Sequence, residues 1–145
     1  MTILDAYKND FLLFLEAGYI ATNQMDEDSA IKLFKAAEAL DAKSPLIKIG
    51  FGYLALHKLE LKQAKKLFNE VLQQDPNNEM AKTFLGIATC LTPKEMTQGE
   101  KLLEETKKSS NPEIQKLTKT ALDFVDTFLK KEPSPVEGKK RENKK

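Results

Sequence analysis

Apolar positions along this chain recur at helical spacing, in blocks broken by short polar turns. The blocks predict seven helices, over residues 3–23, 26–41, 45–58, 61–74, 79–91, 92–108 and 112–131. Start and stop signals sit between them. Ser44 offers an N-cap and Pro45 a first helical position. Asp75-Pro76-Asn77-Asn78 reads as a turn, and Thr92-Pro93-Lys94-Glu95 as a capping box with proline in the first turn. Asn111-Pro112 opens the last helix, whose stripe of Ile114, Leu117, Ala121, Leu122, Val125, Phe128 and Leu129 keeps helical spacing.

A longer period lies over the helical one. Gly18, Gly52 and Gly86 are 34 residues apart, and the same step joins Ala30 to Ala64, Phe34 to Phe68 and Asp41 to Asp75. Such a period predicts stacked helix–turn–helix units. The glycines fall inside the first helix of each unit, where glycine costs about 1 kcal/mol relative to alanine. That cost is acceptable where two helices approach too closely for a side chain. Ala30 and Phe34, like Ala64 and Phe68, are four residues apart and share a helix face, so small sits beside large and neighbouring units interdigitate. In the third unit Gln98 stands where alanine is due and Gly99 follows it; one inserted residue in the turn at 92–96 restores the register. The expectation is an all-α, helical-repeat solenoid of three units with a C-terminal capping helix. Its domain is expected over 1–131, ahead of a disordered basic tail at 132–145 that holds five basic and three acidic residues and one large apolar side chain, Val136.

In this architecture the first helices line the inner surface. Placing their core face by the glycines leaves Leu12, Leu15, Tyr19 and Thr22, then Leu46, Ile49, Tyr53 and Leu56, then Met80, Thr83, Ile87 and Cys90 toward a groove. Nearly all are apolar. The run 46–56 is broken only by Lys48, and a helix apolar all round is expected to be buried all round. The repeats themselves are not expected to bury the groove side, so either a partner, or the chain's own last helix or extended first helix, must cover it.

Composition narrows the chemistry. The net charge is +1, so no global field draws the chain to nucleic acid or to a membrane. No apolar run reaches membrane-spanning length, and no signal peptide is read at the N-terminus. Cys90 is the only cysteine, which excludes an intrachain disulfide and points to a reducing, cytoplasmic compartment. His57 is the only histidine, at the end of a helix where a cation is favoured; no metal cluster or histidine-based triad with a second ligand is expected from it. The glycines are isolated within helices and form no phosphate-binding loop. Enzyme chemistry, a cofactor and a metal site are therefore not expected. The tail has no aromatic side chain for base stacking, which argues against nucleic acid.

The glycine, alanine and phenylalanine pattern and the DPNN turn resemble the tetratricopeptide repeat over residues 10–110. Three repeats, an apolar groove and a closing helix, with the segments 15–19 and 30–34, are similar to the chaperones of bacterial type III secretion. That resemblance implies a protein client, such as a needle or translocator subunit handled with a small co-chaperone, and a homodimer when client-free. A second tetratricopeptide subfamily clamps a C-terminal carboxylate with lysine, asparagine and arginine. Here the corresponding places hold Leu15, Tyr19, Gly50, Met80 and Phe84, so that clamp is absent. The expected function is to hold an apolar or amphipathic helical segment of a client; the alternative is a structural scaffold that self-associates through the same groove, or a subunit of a larger assembly, with no chaperone role.

Overall fold

The computed structural model describes residues 7–130. The expected start of the first helix at residues 3–6, the domain end at 131 and the tail from 132 lie outside them. A 3-10 turn at Lys8–Asp10 leads into α1, Phe11–Asn23. There follow α2 (Glu27–Leu40), α3 (Pro45–His57), α4 (Leu61–Gln74), α5 (Glu79–Leu91), α6 (Met96–Thr106) and α7 (Pro112–Phe124), and a π-helical turn closes at Val125–Leu129. No strand occurs among the described residues. The molecule is an all-α helical-repeat solenoid: α1 packs on α2, α3 on α4 and α5 on α6, with α7 covering the end of the third pair.

The repeat works as its residues demand. On α2 the buried positions are Ala30, Phe34 and Ala37; on α4 they are Ala64, Phe68 and Val71. Gly99, Leu103 and Thr106 take those places on α6, one residue late. The turn within each pair places a non-glycine residue at positive φ: Met25 at 63°, Leu59 at 58° and Lys94 at 67°. The first two are 34 residues apart and the last two 35, so the extra residue lies between the end of α5 and Lys94. There the expected capping box does not form. Thr92 Oγ1 donates to the carbonyl of Ala88 at 2.9 Å, and Glu95 accepts from Lys65 Nζ at 2.7 Å. With no cap to start it earlier, α6 begins only at Met96, and it stops at Thr106 rather than 108.

Side-chain caps do close other helices. Ser44 Oγ accepts from the Leu46 amide at 3.2 Å, Asn78 Oδ1 from the Ala81 amide at 2.9 Å, and Asn111 Oδ1 from the Glu113 amide at 2.9 Å. Each such cap contributes about 1 kcal/mol. The last helix splits its stripe. Ile114, Leu122 and Val125 point inward with Thr118, whose hydroxyl shares a 3.0 Å hydrogen bond with Thr106. Leu117 and Ala121 face sideways, and Phe128 projects into solvent. Among the described residues no helix is long and apolar enough to cross a membrane.

Candidate functional site

The first helices α1, α3 and α5 lie side by side, and aromatic rings run across them. Tyr19 meets Tyr53 with ring centroids 5.0 Å apart, and Tyr53 meets Phe84 at 5.3 Å. His57, the exposed last residue of α3, meets Tyr53 with ring centroids 4.5 Å apart and the rings inclined at 59°. Tyr53 Oη donates to Asn23 Oδ1 at 2.5 Å, tying the second repeat to the end of α1. Burial, with the neighbouring Tyr53, pushes the Tyr19 phenol up to about 12; burial also raises Tyr53, with Asn23 opposing.

The twelve residues assigned to the groove divide into two sets. Leu12 is exposed, and Tyr19, Leu46, Tyr53, Met80 and Ile87 are half-buried, so each presents some surface. Leu15, Thr22, Ile49, Leu56, Thr83 and Cys90 are buried. The expectation that the groove side of α3 needs an outside cover therefore fails at its centre. Ile49 has no exposed surface: it packs with Leu56, Phe68, Phe84 and Leu85 from the second repeat and α5. Leu15 joins Phe34, Ile47 and Leu54 in the first cluster. In so short a stack, adjacent units already close over these positions. Thr22 and Thr83 satisfy their hydroxyls within their own helices, donating to Gly18 O at 2.8 Å and Glu79 O at 2.7 Å.

An open apolar slot lies at the third-repeat end. It measures about 440 Å³ and runs between α5, α6 and α7, bounded on one side by Leu59 from the turn before α4. Its walls are Ile87, Leu91, Leu117, Ala121, Phe124 and Leu129; Cys90, Leu103 and Val125 make its floor. Thr120 is the single side chain bearing oxygen or nitrogen in the lining. Leu59 is 69% exposed, Phe124 45% and Leu129 37%, so the rim presents large apolar side chains to water. α7 forms one wall of this slot and does not fill it.

Charge and chemistry within the slot are sparse. The Cys90 thiol points to the Met96 carbonyl at 3.7 Å, and burial, with the charge of Glu100, pushes its pKa up to about 11 against the opposing Lys130. A thiol held protonated is a poor nucleophile and a good apolar floor. Among the described residues no three His, Cys, Asp or Glu side chains gather as a metal site requires. The cleft on the other side of α7 is different: Glu100, Glu104, Lys107, Lys119, Asp123, Asp126 and Lys130 line it, and it has the character of a solvated charged surface.

Of the slot residues, only Ile87 and Cys90 were assigned to a groove by sequence. Leu91 lies four residues after Ile87 and Phe124 three after Ala121, so both keep helical spacing, but neither was included in that assignment. Leu59 sits in a turn, where an apolar residue carries no periodic signal. Leu117, Ala121 and Leu129 belong to the stripe read as a cap; some of that stripe caps, and the rest lines the slot.

The tetratricopeptide repeat family model matches residues 19–87. That stretch, just under half of the chain, is similar to tetratricopeptide repeats, a family whose members generally mediate protein–protein interaction. α6, α7 and most of the slot lie beyond the matched stretch. No curated protein and no solved structure matches the chain.

Proposed function

We propose that this chain is a protein-binding adaptor that holds the apolar face of a partner's amphipathic helix in the slot between α5 and α7. The slot lining carries the reading. It offers one hydroxyl, from Thr120, and otherwise hydrocarbon and a protonated thiol. An extended peptide laid there would bury N–H and C=O groups with nothing to bond them, at about 1–3 kcal/mol for each. A helix satisfies its own backbone and brings only side chains, the recognition mode of a helix in a groove. Each well-buried client side chain contributes roughly 1.5–3 kcal/mol, so a few anchors outweigh the cost of ordering.

The finer version is a chaperone of the type III secretion class, masking a needle or translocator subunit until release. The short repeat array, the closing helix and the helix-selective chemistry of the slot support it. The experiment is affinity capture with the full chain, followed by calorimetric titration of the captured client's helical segment. The proposal expects binding to be lost on Ile87→Asp and on helix-breaking proline substitutions within the peptide. A client that tolerates those prolines is bound in extended form, and the helical reading then falls.

A further inference from the structure

The turn that follows α7 is out of step with its own sequence. Val125–Leu129 is a π turn, and the Lys130 amide donates to the Val125 carbonyl at 3.1 Å, five residues back. A π turn holds one residue more than an α turn, so each side chain after it is set back by one position around the axis. Burial shows the effect. At α spacing Phe128 would extend the slot row of Leu117, Ala121 and Phe124, and Leu129 would extend the buried row of Thr118, Leu122 and Val125. Instead Leu129 stands on the slot wall, 37% exposed, and Phe128 faces solvent, 67% exposed.

Polar contacts hold the π register. Lys130 Nζ reaches Glu100 Oε2 on α6 at 2.6 Å and Asp126 Oδ1 at 3.3 Å. The Asp126 pair spans four residues, an ordinary spacing for an α turn. The Glu100 pair is the one that an α turn breaks, because losing the extra residue rotates Lys130 by about 100° around the axis.

We infer that the end of α7 is a register switch that opens and closes the slot. In the π register, latched by Lys130 on Glu100, the slot is open. In the α register Phe128 swings in to the wall position that Leu129 now holds and closes the mouth. The apolar rows favour the closed register, since it takes Phe128 and Leu129 out of water. The latch favours the open one. A partly exposed ion pair is a weak latch, so the two registers lie close in energy. An apolar side chain seated in the slot excludes Phe128 and selects the π register. The switch regulates the slot on which the adaptor reading rests, and ring contacts and a dye test it without a client, so either can fail alone.

Nuclear Overhauser contacts of the Phe128 ring in the full chain, together with its affinity for Nile red, test the switch. Glu100→Gln releases the latch. Contacts from Phe128 to the methyl groups of Leu59, Ile87 or Leu91 should then grow, and the dye should bind about two- to fivefold more weakly, the scale of a partly exposed ion pair. Adding Phe128→Ser to Glu100→Gln removes the plug and should restore dye binding to the wild-type level. Thr127 is an exposed residue inside the π turn, and deleting it takes out the extra position. Leu129 then keeps its place on the slot wall in an α turn, and dye binding should no longer respond to Glu100→Gln. Should the dye not bind the wild type, the ring contacts decide alone. Ring contacts in Glu100→Gln that match the wild type, or a closure that persists after Phe128→Ser or after deletion of Thr127, overturn the proposal. A working switch in a chain that captures no client leaves the switch standing, and a client bound equally in both registers leaves the adaptor reading standing.

Discussion

The ring of Phe34 lies directly against Gly18: a Cβ placed on that glycine would stand 2.5 Å from Cε1 of the ring. Gly50, on the first helix of the next repeat, meets the same atom at 2.8 Å, so two successive units clasp one side chain. At the following boundary Gly52 meets Phe68 at 2.5 Å, but Phe84 takes the place of a second glycine and stacks on Phe68 at 5.7 Å.

Four of the five helical glycines with tight neighbours, Gly18, Gly52, Gly86 and Gly99, should therefore rank in their response to alanine. Alanine gains about 1 kcal/mol of helix propensity at each. At Gly86 the nearest atoms are the flexible end of Leu103 at 3.0 Å, so the gain and the crowding nearly cancel. At Gly18 and Gly52 a packed ring must move, and overpacking of about 1–3 kcal/mol wins. At Gly99 the new Cβ would meet backbone, Cys90 N at 2.5 Å and Gly86 O at 2.7 Å. Gly99→Ala should thus be the most damaging, about 3 kcal/mol or more, although alanine is what Ala30 and Ala64 supply at the same repeat position. Urea denaturation of the four variants checks the order; equal midpoints for Gly99→Ala and Gly86→Ala would refute it.

The repeat register was legible because close packing leaves a compositional trace. Gly18, Ala30 and Phe34 recur because no larger or smaller residue fits, and the shift from Gln98 to Gly99 located the inserted residue. The site was less legible. Helical spacing assigns Ile49 and Ile87 to the same face, yet it says nothing about how far adjacent units close over each. Leu59 has no periodic signature, and the helical spacing of Val125, Phe128 and Leu129 does not announce the π turn they form; both shape the slot.

Leu59 holds a left-handed backbone conformation and an exposed side chain, each unfavourable for leucine. Leu59→Asn keeps a residue that tolerates positive φ and should stabilise the free chain by up to about 1 kcal/mol. The same change should weaken client binding, since the slot loses one rim. Met25→Asn, at the matching turn away from the slot, should relieve strain without touching affinity. Parallel thermal melts and titrations separate the two effects, and a Leu59→Asn chain that binds as wild type would remove Leu59 from the site.

Cys90 should react slowly with a thiol reagent in the native chain. Raising its pKa from 9.0 to about 11 lowers the thiolate fraction near neutral pH about 100-fold, before any steric protection. Because the folded pKa lies above the unfolded one, the thiol's contribution to stability is intact below pH 9 and is lost as pH rises toward 11. Labelling rates measured with and without denaturant test this; native labelling as fast as unfolded labelling would show that the slot floor is open.

Ile49 and Ile87 give the sharpest contrast, because the sequence places them alike and the structure does not. Ile49→Asp puts a carboxylate among Phe68, Phe84 and Leu85 with no partner, and should cost about 3 kcal/mol or more in the free chain. Ile87 is half-buried on the slot wall, where water can reach a carboxylate, so Ile87→Asp should cost only about 1 kcal/mol. Affinity should respond the other way. A client helix covering Ile87→Asp would bury the unpaired charge and lose most of its binding, whereas Ile49→Asp chains that remain folded should bind nearly as wild type. Melting both variants and titrating each with the client segment decides the point. Should Ile87→Asp unfold the free chain as strongly as Ile49→Asp, the slot is part of the core rather than a surface, and the helix-binding reading fails with it.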